Sequence, residues 1–225
     1  MILYFRDRAE AGRLLARRLK PDYANKPDVL VLALPRGGVP IAYQIAKVLH
    51  APLDICVVRK LGVPGRKEVA MGAIGQGGIM ELNQDLVAEL KISDSAIKEV
   101  IVKEWQELER RERVYRGSRP LPDLSDRTII LVDDGIATGL TLKAALSIIK
   151  QQQPKKIVVA VPVAPPDICE ELEAEVDKVV CLAAPEPFQA VSLWYEDFSA
   201  TTDEEVCWLL AQNNQELKAV SDKLP

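Results

Sequence analysis

Short unbroken apolar runs alternate along this chain with longer segments of helical spacing. Arg6 to Leu19 carries Ala9, Leu14, Leu15, Ala16 and Leu19 among arginines, which predicts an amphipathic first helix. Val29 to Leu34 is almost wholly apolar and stops at Pro35-Arg36-Gly37-Gly38, the pattern of a strand covered on both faces. Val39 to Leu49 predicts a helix ending at His50 and Ala51-Pro52. Leu53 to Val58 predicts a second buried strand, ended by Arg59-Lys60. After Pro120 and Pro122 the rhythm returns. It gives a strand at Thr128 to Val132, a helix from Gly139 to about Gln153 and a strand at Ile157 to Val161. A helix around Asp167 to Glu175 and a strand at Lys178 to Leu182 follow. Strands alternating with helices predict a parallel α/β sheet flanked by helices.

The middle of the chain departs from this rhythm. Leu61 to Gly78 is glycine-rich and basic, with Val69 to Ile74 as a candidate strand and Ile79 to Leu82 as its hairpin partner. The Gly62 to Lys67 portion is expected to be mobile, because its small residues offer few contacts to hold it. Ile97 to Arg116 places Ile97, Ile101, Trp105, Leu108 and Val114 at roughly helical spacing, with Ser93 or Ser95 as the cap. Its many charges read as a solvated face. Pro185 to Thr202 is aromatic and irregular, and Asp203 to Val220 predicts a last helix.

Composition bounds the chemistry. The 225 residues are 48% apolar, enough for a real core, and carry Lys+Arg 29 against Asp+Glu 33, a formal charge of -4. An acidic total argues against a general nucleic-acid binder, and no apolar run is long enough to span a membrane. Arg6, Asp7 and Arg8 stand where a signal peptide would need apolar residues, so the cytoplasm is the expected compartment. The single histidine, His50, excludes a multi-histidine metal site and reads as a helix-ending residue. Cys56, Cys169, Cys181 and Cys207 form no zinc or redox spacing and are expected to be buried reduced thiols.

The most informative stretch runs from Ile129 to Thr141: an apolar strand, Asp133-Asp134, a turn of small residues with Thr138, then a helix carrying Thr141. In open α/β sheets, ligands gather at the carboxyl ends of strands. Backbone N–H groups at the helix start, with the Thr138 and Thr141 hydroxyls, would hold a phosphate. Gly139 would let the ligand approach the backbone. The paired carboxylates would accept hydrogen bonds from a sugar diol or orient water around Mg²⁺. The lysine of a Walker A loop is missing, and no Gly-x-Gly-x-x-Gly opens a helix. An ordinary strand end followed by a capped helix is the alternative reading of the same residues.

Asp133-Asp134 followed by Thr138-Gly139-Leu140-Thr141 closely resembles the phosphoribosyl pyrophosphate signature of the type I phosphoribosyltransferases. Leu34-Pro35-Arg36-Gly37-Gly38 resembles that family's pyrophosphate loop, and Arg59-Lys60 the dibasic entrance to its catalytic loop. Phe5-Arg6-Asp7-Arg8 with Glu10-Ala11-Gly12 is similar to a bacterial branch of the family. The resemblance implies one domain over residues 1–225 with a Rossmann-like parallel sheet. Its core would span about 27–183, a helical insertion about 84–118, and a C-terminal hood and helix about 185–225. It also implies that Asp133 and Asp134 bind the ribose hydroxyls and, through water, Mg²⁺. Ala137 to Thr141, in the loop begun by Gly135 and Ile136, would bind the 5-phosphate. The expected partners are phosphoribosyl pyrophosphate, a nucleobase or related heterocycle, and a second copy of the chain as a homo-oligomer.

Displacing pyrophosphate develops oxocarbenium character at the sugar, so the leaving group needs Mg²⁺ and cations. Arg36, Arg59, Lys60, Arg66 and Lys67 are the candidates, with a solvated loop tip as the plain alternative for the last two. The acceptor is less legible. Some 6-oxopurine enzymes of the family place an aspartate where Ala137 stands, which argues against hypoxanthine or guanine. Glu68 is a weak candidate for acid–base work. Phe188, Trp194, Tyr195 and Phe198 offer either a stacking ring or a small core of their own. A regulatory sensor that binds the sugar phosphate without transfer is the second reading. A phosphoacceptor domain is a third, and it leaves Thr138 to Thr141 unexplained.

Overall fold

The computed structural model describes residues 4–221, apart from the side chains of Lys67, Glu68, Val220 and Ser221. The chain forms two compact units, one from residues 1–55, 124–138 and 154–225, the other from 56–123 and 139–153.

The first unit is built on a parallel sheet of β1 (Val29–Ala33), β2 (Leu53–Ile55), β6 (Thr128–Val132), β7 (Lys156–Val163) and β8 (Lys178–Ala183), in the order β2-β1-β6-β7-β8. Every residue of β1 and β6 is buried, which is why both read as unbroken apolar runs. α1 (Arg8–Tyr23) packs on α2 (Gly38–Leu49), while α6 (Pro166–Glu173) rests on β8 and α7 (Asp203–Ser221) on α2 and β2. Asp7 caps α1 by accepting the Glu10 N–H at 2.7 Å. His50 ends α2 in the left-handed region at φ 54°, the structural role expected of it. The thiols differ from expectation. Only Cys56 is buried; Cys169 and Cys181, carried by α6 and β8, are half-buried, and the Cys181 thiol donates to the Ala183 carbonyl at 3.1 Å. Burial pushes the Cys181 thiol up to about 12.

The second unit holds an antiparallel sheet of β3 (Val58–Val63), β4 (Arg66–Gly75) and β5 (Ile79–Leu82), with α3 (Gln84–Glu89), α4 (Asp94–Arg116) and α5 (Leu140–Lys150). Two expectations change here. The apolar run Leu53 to Val58 is two strands in two different sheets, since β2 stops at Ile55 and β3 starts at Val58. Arg59-Lys60 therefore lie inside a paired strand rather than at a loop entrance, opposite Ile74 and Ala73. The Gly62 to Lys67 stretch is the tip of the β3–β4 hairpin, turned at Pro64-Gly65 with Gly65 at φ 77°. Ser93, not Ser95, caps α4, accepting the Ala96 N–H at 3.3 Å. Ile97, Leu108 and Tyr115 form its buried stripe, while Val114 stays exposed. Among the described residues, no helix is long and apolar enough to cross a membrane.

Candidate functional site

The winding of the five-stranded sheet reverses between β1 and β6, because β2 lies on one side of β1 while β6, β7 and β8 continue on the other. At such a switch point the connections leave in opposite directions and open a crevice at the strands' carboxyl ends. The loops after β1 and β6 both carry predicted site residues. They are tied where they begin, by the Leu34 N–H donating to the Val132 carbonyl at 2.9 Å. The Pro35–Arg36 peptide bond is cis. A methyl group on Gly37 would collide with the Asp134 carboxylate, so only glycine lets the first loop come this close. Arg36 is exposed, 3.8 Å from Asp203 on α7, a distance at which an exposed pair contributes little.

β6 ends at Val132, and Asp133 and Asp134 follow it where the chain is already turning. Strand alternation no longer separates them. The Asp134 N–H donates to Asp133 Oδ1 at 2.8 Å. Burial, and then the neighbouring Asp134 carboxylate, push the Asp133 carboxyl well above the usual range. Asp134 has its own cation: Arg8 Nε and Nη2 donate to Oδ2 at 2.9 and 2.8 Å. The Tyr195 hydroxyl donates to the Asp134 carbonyl at 2.6 Å. Desolvation, and then Asp134, raise the Tyr195 phenol, so it remains a neutral donor. Ile136 is buried and its N–H donates to the Val163 carbonyl at 2.9 Å, while Ala137 and Thr138 are exposed. The first unit thus brings Arg36, Gly37, Gly38 and residues 133–138 to one end of one sheet.

The chain enters the second unit between Thr138 and Gly139. Gly139 adopts φ 69° and its carbonyl accepts the Lys143 N–H at 2.8 Å, starting α5. A side chain would be strained there, and the first N–H groups of α5, with the exposed Thr141, have no intrahelical acceptor. Leu140 and Lys60 help line a cavity of about 360 Å³ that also includes Lys143, Glu81 and Asn83. Arg59 donates through Nε to Glu104 Oε2 on α4 at 2.8 Å, so the insertion helix already engages it. Arg66 is exposed at the start of β4, whereas the Lys67 and Glu68 side chains lie outside the described residues.

Sequence reasoning named Arg8 only within an N-terminal motif and Tyr195 only as a stacking ring or part of a small core, and it missed their contacts with Asp134. Arg8 is 126 positions from its partner, and no local pattern marks such a pair. The aromatic stretch forms a small core with the N-terminal segment. Tyr195 lies against Phe5 and Phe198 with ring centres 5.4 and 5.0 Å apart, and Trp194 stacks on Tyr4 at 5.5 Å. For a metal, the described residues contain no group of three His, Cys, Asp or Glu side chains in ligating positions. Two adjacent carboxylates, one already held by arginine, suit an ion such as Mg²⁺ that keeps its waters and arrives on substrate phosphates.

A doubly wound parallel sheet with paired acids and a glycine loop at its switch point defines an α/β protein with a cluster of polar groups at its strand ends. Residues 7–194 match the phosphoribosyl transferase domain, and the chain belongs to that family. A Mycobacterium tuberculosis protein named "Putative phosphoribosyl transferase" is 46% identical over 202 residues, 90% of this chain and 45% of that protein. The chain thus spans about half the length of the curated relatives it matches. The crystal structure of TT1426 from Thermus thermophilus is 42% identical, with a TM-score of 0.82 over 93% of this chain and 99% of that one. The AQ2163 protein from Aquifex aeolicus shares the fold at 15% identity, with a TM-score of 0.50 over 81% of this chain and 76% of that one.

Proposed function

We propose that this chain transfers ribose 5-phosphate from phosphoribosyl pyrophosphate to a nitrogenous base, with Mg²⁺ and release of pyrophosphate. The observation that carries this reading is the placement of Asp133 and Asp134 immediately beyond β6 at the switch point, with the Gly37 loop against Asp134. In the transfer, the bond from the anomeric carbon to pyrophosphate breaks and its electron pair leaves with pyrophosphate. The bond to the base nitrogen forms and the N–H proton is released.

Asp133 and Asp134 accept from the ribose diol, Asp134 as the carboxylate held by Arg8 and Asp133 as the one that burial makes harder to ionise. The backbone N–H groups and hydroxyls of residues 137–141 hold the 5-phosphate, where the start of α5 favours an anion. Arg36, Lys60 and Arg66, with Arg59 once free of Glu104, stabilise the departing pyrophosphate. Mg²⁺, held by substrate oxygens and by water on the two aspartates, would supply further charge neutralisation. A homo-oligomer is also part of the proposal.

Calorimetry with phosphoribosyl pyrophosphate and Mg²⁺, followed by pyrophosphate release across a panel of purines, pyrimidines and related heterocycles, tests this function. Binding and base-dependent release are expected; no binding overturns the reading. Binding without release from any base would favour the sensor, a role consistent with Arg59 being held on α4 by Glu104.

A further inference from the structure

Asp134 is held from three directions by parts of the chain far apart in sequence. Arg8, the first residue of α1, places Nε and Nη2 on the same oxygen, Oδ2, at 2.9 and 2.8 Å. The backbone of the Gly37 loop closes on that carboxylate from another side. The Tyr195 hydroxyl fixes the Asp134 carbonyl at 2.6 Å. Arg8 is itself anchored twice more. Its Nη1 donates to the Ser199 carbonyl at 2.7 Å, and its guanidinium lies 3.9 Å from the centre of the Phe198 ring.

The platform beneath Arg8 is built, not incidental. The Phe5 N–H donates to the Trp194 carbonyl, and the Glu196 and Asp197 N–H groups donate to the Phe5 and Arg6 carbonyls at 2.8 Å, so the two segments zip together. Phe5 is fully buried beneath Tyr195. The Arg8 and Asp134 side chains keep only 11% and 17% of their exposure, which separates the pair from exposed ion pairs that contribute little. A side chain spent on stability alone would serve as well if it were apolar and well packed. A planar fork stacked on an aromatic ring instead fixes the orientation of one carboxylate.

We propose that Arg8 is the positioning residue for Asp134, locking its carboxylate in the rotamer that receives the ribose diol. Phe198 and Ser199 fix Arg8 in turn. This inference rests on the proposed function and adds to it an N-terminal residue that touches no substrate. A lysine could supply the charge but neither the two-pronged geometry nor the stacking. The role is therefore specific to arginine.

The test measures affinity for phosphoribosyl pyrophosphate with Mg²⁺, affinity for pyrophosphate with Mg²⁺, and thermal midpoint, on the parent, Arg8→Gln and Arg8→Lys. Arg8→Gln is expected to bind phosphoribosyl pyrophosphate about tenfold to a hundredfold more weakly, the scale of a lost charge-assisted hydrogen bond. Pyrophosphate has no diol, so its affinity should change by less than about twofold on that same scale. Arg8→Lys should recover part of the loss. Equal weakening for both ligands would mean general damage to the site and would overturn the inference, as would unchanged affinity for the sugar substrate in Arg8→Gln. If Arg8→Gln does not fold, Arg8→Lys decides: the same selective loss supports the role, and parental affinity overturns it. A parent that binds no phosphoribosyl pyrophosphate overturns the proposed function and this inference together, whereas a binding parent with an indifferent Arg8 overturns only the latter.

Discussion

Burial and the neighbouring carboxylate disfavour the anion of Asp133, while the next carboxylate along the chain, Asp134, is paired with the Arg8 guanidinium. In the unfolded chain Asp133 ionises near an ordinary value of about 3.9, and in the folded chain at higher pH. The unfolded state therefore holds fewer protons in that window, and stability falls as pH rises through it. Asp133→Asn removes this loss and can still accept the Asp134 N–H. We expect it to raise stability at pH 7 by on the order of 1 kcal/mol, the scale common when a functional group's strain is relieved, while weakening binding of the sugar substrate. Thermal midpoints across pH should show the gain opening above about pH 4 and vanishing below it. A midpoint lower than the parent's at pH 7 would contradict this. The two acids were legible because thirteen consecutive residues carry the whole pattern. Arg8 was not, since the same Arg6-Asp7-Arg8 triplet reads equally well as the polar start of any helix.

Among elements, the buried parallel strands were the most legible. β1 is apolar at every position and β6 at every position after Thr128 because both faces are covered, and Asp133 marks the end of β6 at once. The run from Leu53 to Val58 misled for the same reason. Cys56 and Val57 are as buried as the strands they join, so hydrophobicity does not show that the chain leaves one sheet for another. The candidate strand at Val69 to Ile74 lies within β4 despite the glycines around it. Gly72 and Gly75 sit inside β4, where the space for a side chain is taken by Glu81 and Leu82 and by Ile148 of α5, so they report close packing rather than looseness. α4 gives a clean test of a local signal. Ser93→Ala removes its cap and should cost about 1 kcal/mol of stability in urea unfolding, whereas Ser95→Ala should cost a few tenths at most. Equal losses would show that the capping assignment is wrong.

At the scale of the whole chain, a formal charge of -4 coexists with a candidate site for a polyanion. Helix-end N–H groups and a few local arginines and lysines act over short distances, where screening is weakest, so net charge decides little. Each of the two units has its own sheet and its own apolar core. In the first, β1, β6 and β7 are interior strands bonded on both sides. In the second, β3 and β5 are edges and only β4 is interior. Amides of β1, β6 and β7 should therefore exchange with deuterium more slowly than those of β3 and β5, by an order of magnitude or more, when followed by mass spectrometry. Faster exchange in β6 than in β5 would refute that ranking. The zipper joining residues 5–6 to 194–197 also sets an order of events during synthesis. Arg8 leaves the ribosome before Asp134, and the Phe198 face and the Ser199 carbonyl that hold the guanidinium emerge only after both. The parallel sheet, whose last strand ends at Ala183, can therefore gather before the support that fixes Arg8 on Asp134 is complete.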